Sequence, residues 1–383
     1  TILAVAAPVV IAEDRLSLSG SMRVRGFSFQ EYDFDDDVDT TKAFFDQRLR
    51  IGGKLSIAEG VSITFRTDIT EKTWGDGGGP GNAGYYGAGR GGSTQQWDRA
   101  HIDITKGMVS VRAGQQLVLL GQGIAFDNQG TGIKVGIKTG APITLVYFRD
   151  NTLGSTSNSD DADIYAAQID HKTDNYSANI FAGYAHKTQV DDYATSDLAR
   201  NNNVYLVGVS GKFNAGPVFI QSEIDFFGGD AGQVAGTDID GKGIQGYVDA
   251  SMPINEMFTL GGQFFYAKSY DLDDDEVQIT KMGNGFNGWQ PETYGPFTTD
   301  FGEALDGSLY DPTGEGNGVI AGQLYANFKV NDETDLTAAF MYLVPEDDKA
   351  NNNDSTAGGN LDSAMIFNAG VDYQLMANTK LAA

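Results

Sequence analysis

The chain has 383 residues, a formal charge of −26, 50 Gly and no Cys. The missing Cys excludes a disulfide scaffold, a thiolate metal site and a C-x-x-C-H haem attachment; the acidic balance argues against a nucleic-acid partner, which needs a basic footprint. No apolar run approaches about 18 residues, so a transmembrane helix is excluded as well.

In chain order, Thr1 to Ala12 (TILAVAAPVVIA) is small and apolar and precedes Glu13-Asp14. Residues 1–12 read either as the remnant of a secretory signal, with Val10 and Ala12 at the −3 and −1 positions of a cleavage site, or as an ordered periplasmic extension. Residues 13–383 show no break in composition and read as one domain. Val61 to Thr70 (V-S-I-T-F-R-T-D-I-T) sets the pattern: Val61, Ile63, Phe65 and Ile69 fall on one face, and Ser62, Thr64, Arg66, Asp68 and Thr70 on the other. Such alternation predicts strands at 15–31, 43–58, 61–73, 95–106, 108–117, 130–139, 142–150, 162–172, 176–187, 203–213, 216–228, 242–252, 257–269, 317–330, 334–343 and 361–375. Thr379 to Ala383 reads as the opening of a seventeenth, which implies eighteen in a longer gene.

The connections alternate. Short turns at Ala58-Glu59-Gly60, Lys106-Gly107, Gly140-Ala141, Thr173-Asp174-Asn175, Asn214-Ala215, Pro253–Glu256, Asn331–Glu333 and Met376–Thr379 carry Gly, Asn, Asp and Pro. Between them come long loops at 32–42, 74–94, 118–129, 151–161, 188–202, 229–241, 270–316 and 344–360. Sixteen half-apolar strands leave almost nothing to build a second layer, so the apolar faces are expected to meet lipid. The predicted fold class is all-β: a transmembrane antiparallel up-and-down β-barrel of about 16 strands, up to 18, with long extracellular loops and short periplasmic turns. That places it in the outer membrane of a Gram-negative cell, in contact with lipid and lipopolysaccharide. Strand ends rich in aromatics (Phe44-Phe45, Trp97, Phe226-Phe227, Phe264 to Tyr266, Tyr342) suit interfacial girdles.

A barrel of this size is too wide for side chains to fill and keeps an aqueous lumen. Ten of the eleven Arg fall in the first 150 residues. Strand parity turns Arg23, Arg25, Arg48, Arg50, Lys54, Arg66, Arg99 and Arg112 inward as one basic wall, with Asp46, Asp68 and Asp103 among them. The opposite arc carries Glu223, Asp225 and Asp249. Two readings follow: a transverse field across the pore, or charges paired within the wall, Arg66 with Asp68 or Asp46 and Arg99 with Asp103. Acidic loops at Asp33–Asp39, Asp271–Glu276 and Glu346–Asp354 read as a solvated rim. Divalent cations are the sharper alternative there, but no calcium-loop spacing is present; no metal site or cofactor is expected.

The order R-x-R, Q-R-L-R-I-G-G-K-L, I-T-F-R-T-D-I with Trp74, W-D-R-A-H-I-D-I, G-M-V-S-V-R-A-G-Q-Q-L and L-G-Q-G-I-A-F-D resembles the alginate-export type of bacterial outer-membrane porin over roughly the first 150 residues. The resemblance implies an arginine-rich lumen for an anionic polysaccharide, with Arg23, Arg25, Arg48, Arg50, Arg66, Arg99 and Arg112 at the matching positions. Gln115-Gln116 departs from the Gly-Arg-Gln common in that family. The rest of the chain resembles porins in general.

The loops 74–94 and 270–316 are the candidates for an inward fold that narrows the pore, with Tyr85, Tyr86, Arg90, Trp289 and Tyr294 at the constriction or mouth. His101, His171 and His186 sit in no catalytic motif, and although His101 lies near Asp103 with Ser110 on the next strand, the sequence points away from an enzyme. Three functions stay open: passive diffusion of small hydrophilic solutes, passage of an anionic polymer, and a structural or complex-forming surface barrel. A homotrimer is common for porins of this size, whereas the alginate-export type resembles a monomer.

Overall fold

The computed structural model describes residues 2–6, 9–10, 15–29, 42–74, 96–150, 162–188, 202–234, 237–270, 275–279, 282, 318–344, 346 and 363–382. The strands are β1 (Ile2–Ala6), β2 (Val9–Val10), β3 (Leu16–Phe29), β4 (Lys42–Ala58), β5 (Val61–Thr73), β6 (Gln96–Lys106), β7 (Val109–Leu119), β8 (Asp127–Ile137), β9 (Ile143–Asp150) and β10 (Ala162–Lys172). They continue as β11 (Tyr176–Thr188), β12 (Asn202–Ala215), β13 (Val218–Val234), β14 (Thr237–Pro253), β15 (Phe258–Ala267), β16 (Glu276–Gln278), β17 (Val319–Lys329), β18 (Thr334–Val344), β19 (Ala364–Met376) and β20 (Thr379–Ala382). Sixteen of them, β3 to β15 and β17 to β19, run to eight residues or more. Each long strand pairs antiparallel with the next, as an up-and-down barrel requires. The N-terminal β1 lies between β3 and β20 and pairs with both, so every long strand has a hydrogen-bonded neighbour on each side.

The alternation places the core. Ile51, Ile63, Ile180, Val207, Ile224, Phe264 and Leu324 lie on the outer face and are exposed. An exposed ring of large apolar side chains running from β4 to β19 on the long strands suits a lipid solvent, not water. Several strand-end aromatics join that ring, among them Phe45, stacked on Trp74 at 5.2 Å, and Trp97. Phe227 and Phe265 turn inward instead and are buried.

One predicted loop is a hairpin. The sequence predicts a long loop at residues 229–241, but β13 runs on to Val234 and β14 starts at Thr237. Gly229 takes φ +142° and the register shifts between Asp230 and Gly232, so the glycines carry a bulge and the ladder continues past it.

Candidate pore lining and constriction

Strands β3 to β7 hold the basic wall. Outward Leu49, Ile51, Ile63 and Ile102 leave their neighbours Arg48, Arg50, Arg66 and His101 on the inner face, since successive side chains alternate. The arginines do not stand alone. Arg25 reaches Asp46 (Nε at 3.0 Å), Arg50 reaches Asp68 (Nη2 at 2.7 Å), Arg66 reaches Asp98 (Nε at 2.5 Å) and Arg112 reaches Asp103 (Nε at 2.7 Å). The charges therefore pair within the wall, but not in the pairs expected: Arg66 takes Asp98, and Asp103 goes to Arg112. Arg48 lies opposite Glu71 in register. Among described side chains the wall still presents eight cations (Arg23, Arg25, Arg48, Arg50, Lys54, Arg66, Arg99 and Arg112) to four carboxylates (Asp46, Asp68, Asp98 and Asp103).

Asp98 is the residue that parity reasoning missed. Strict alternation puts it outside with Ile102 and Ile104. Arg66 opposes Arg99 while Thr67 opposes Trp97, so Asp98 is the extra residue of a bulge. The bulge keeps Trp97 exposed on the outer face and buries Asp98, with Arg50 Nη2 at 3.7 Å as its second cation. A register slip of one is invisible to a period-two pattern.

The acidic arc is not open to the lumen. Glu223, Asp225 and Asp249 are 1%, 1% and 4% exposed. The cover over Glu223 is the segment Leu120–Phe126 between β7 and β8, which leaves its own wall and crosses to β13. The backbone N–H groups of Gln122, Ile124 (3.2 Å) and Ala125 (3.3 Å) all donate to the Glu223 carboxylate. Gly121 N–H donates to Gln168 Oε1 at 2.9 Å. Asp225 accepts from Gln245 (3.0 Å), and Asp249 from the Tyr325 hydroxyl (2.7 Å) and Gln221 (3.1 Å).

Sterics and greasy contacts make this crossing possible. Gly121 has φ +61°, and a Cβ there would lie 2.2 Å from Glu223 Oε2 and 2.6 Å from Phe181. Only glycine allows both that backbone and that approach. Leu120, Ala125 and Phe126 are fully buried against inward-facing Phe148, Ile164, Phe181, Leu206 and Phe227, while Ile124 packs on a second apolar cluster around Phe265, Met341 and Leu343. The signal was present in the sequence: this connection is apolar (Leu119-Leu120, Ile124-Ala125-Phe126) where the others are polar, and an apolar loop must find cover.

A second strand of chain joins it. β16 lies parallel to β14, in the register Asp240 to Glu276. Ile279 N–H donates to Lys242 O at 2.7 Å, and at the far side Met282 N–H donates to Ala125 O at 3.0 Å while Asn128 Nδ2 donates to Met282 O at 3.0 Å. The described part of the 270–316 loop thus enters the barrel and ties β14 to the inward loop. Tyr85, Tyr86, Arg90, Trp289 and Tyr294 lie outside the described residues. His101 Nδ1 stands 3.2 Å from Asp103, but the Ser110 hydroxyl donates to Gly136 O at 3.4 Å, so these three do not form a relay.

Together these features define a barrel with an apolar belt, a basic inner wall on one side and, on the other, an inner wall covered by folded-in chain. The fold is shared with outer-membrane porins. An anion-selective porin from Comamonas acidovorans aligns with 100% of this chain and 99% of its own at 13% identity, TM-score 0.51. Salmonella typhi OmpF, in complex with daunomycin, aligns with 98% of this chain and 100% of its own at 11% identity, TM-score 0.52. Pseudomonas aeruginosa OpdL aligns with 97% of this chain and 88% of its own at 12% identity, TM-score 0.51. No family model and no curated protein matches the chain. The likeness is to porins broadly, and it lends no support to an alginate-export type in particular.

Proposed function

We propose that the chain is an outer-membrane porin through which small hydrophilic solutes diffuse passively, with a preference for anions. Transport involves no chemical step. The observation that carries the preference is the asymmetry of the lumen: among the described side chains, a basic wall with eight cations to four carboxylates faces an arc whose acids Glu223, Asp225 and Asp249 are buried, Glu223 under the inward loop. The formal charge of −26 does not oppose it. The densest acid lies in loops at 33–39, 271–276 and 346–354, and ionic screening over about 8–10 Å leaves the local wall to set the field in the pore. We favour a one-sided basic lumen over the transverse-field reading.

Structural neighbours support the fold under this reading; the preference rests on the wall. The apolar belt takes outer-membrane lipid and lipopolysaccharide as its surroundings. A homotrimer is the assembly we assign, since a porin-fold neighbour, OmpT of Vibrio cholerae, is described in trimer form (8% identity, TM-score 0.50). The test is the reversal potential of single channels in a KCl gradient. Ohmic conductance with chloride favoured over potassium is expected, and Arg48→Glu with Arg66→Glu moves the potential toward potassium. A silent barrel, a cation-selective one, or a double variant with unaltered selectivity overturns the proposal.

A further inference from the structure

The inward faces of β4 to β8 line, at the end that bears the short turns, an open pocket of about 520 Å³. Four cations line it: Lys54, Arg112, Lys134 and Lys138. So do four hydroxyl residues, Ser56, Ser62, Thr105 and Ser110. The acid in the lining, Asp103, has its carboxylate occupied by Arg112 (2.7 Å), His101 (3.2 Å) and Thr64 (3.5 Å). Lys54, Lys134 and Lys138 have no ion pair among the described residues.

Register makes the arrangement costly when empty. Arg112 lies directly opposite Lys134 on the neighbouring strand, and like charges facing across an antiparallel pair repel. Asp103, opposite Arg112 on its other side, compensates one of the two. A ligand that brings negative charge to Lys134, Lys54 and Lys138 relieves the rest. A single chloride reaches one or two of these ammonium groups. A divalent oxyanion, with several acceptor oxygens, can engage separate lysines and the hydroxyls together. At about 30 Å³ per water, the pocket holds such an anion with part of its hydration shell.

Resting on the porin reading above, we propose that this pocket is a docking site for small divalent oxyanions, a phosphate or dicarboxylate group being the shared chemistry, placed at the periplasmic end of the anion path. It concentrates such solutes where they enter or leave the lumen.

Inorganic phosphate is the probe. Added on the turn-bearing side of single channels carrying chloride current, it reduces that current with a saturable half-blocking concentration, and chloride at matched ionic strength does not. Lys134→Gln with Lys138→Gln raises the half-blocking concentration at least tenfold, while the reversal potential in KCl alone stays anion-selective because Arg23, Arg48, Arg50 and Arg66 remain. Lys54→Gln, a single change, raises it about threefold. Equal block of the wild type and both variants, or block no stronger than that by chloride, overturns the site. Loss of anion preference by the wild type in KCl alone instead overturns the porin reading on which the site depends.

Discussion

Replacing Glu223 with Ala removes the acceptor for three backbone N–H groups, those of Gln122, Ile124 and Ala125. A hydrogen bond contributes about 0.5–1.5 kcal/mol net, and a buried donor left without a partner costs about 1–3 kcal/mol. The three do not add fully, because a released loop can turn its N–H groups to lumen water. The apolar anchors Ile124 and Phe126 also stay in place to hold it. A net loss of about 3 kcal/mol from the docked state is expected, equivalent to about a hundredfold rise in the undocked-to-docked ratio at 1.4 kcal/mol per tenfold. Glu223→Gln keeps one oxygen, the one that serves Ile124 and Ala125, and falls between. The assay pairs single-channel recording with the labelling rate of Ile124→Cys by a membrane-impermeant maleimide. Open-channel noise and mean conductance increase in the order wild type, Gln, Ala, and labelling quickens about a hundredfold in the Glu223→Ala background. If labelling and noise in the folded Ala variant match the wild type, the carboxylate is not what holds the loop.

Three further outcomes follow from single contacts. Asp98→Asn removes a buried carboxylate that offsets Arg66 and Arg50, so the KCl reversal potential moves further toward chloride; a shift toward potassium contradicts the bulge-inward placement. At Gly243 a Cβ would lie 1.9 Å from Ile279 O, so Gly243→Ala displaces the segment that follows β16. Proteolysis within 270–316 then quickens without loss of barrel melting temperature, and unchanged cleavage kinetics would show that the segment is held elsewhere. Val207, 46% exposed near the middle of β12, faces hydrocarbon in this reading. Val207→Arg should cost about 2–4 kcal/mol of stability in lipid at the midplane, measured by denaturant unfolding in vesicles, and a neutral result argues that this face is not in the bilayer.

The strand ladder was legible in the sequence because its signal is local. Period-two alternation such as Ile63-Thr64-Phe65-Arg66 decides which face each residue takes, and the turn residues after Lys106 or Lys172 mark where a strand reverses. The same parity placed Arg48, Arg50 and Arg66 inside. What sequence could not decide is what meets what across the barrel. Asp98 points inward because β6 gains one residue against β5, a choice made by packing Trp97 outside. Glu223 became a latch because the segment after β7 crosses to β13, joining groups 101 residues apart in the chain. Lys134 and Arg112, unremarkable 22 positions apart, become a repulsive pair only once β7 and β8 are in register. Alternation fixes the side of the sheet on which a group lies; only the curvature of the whole sheet brings one arc of the wall within reach of another.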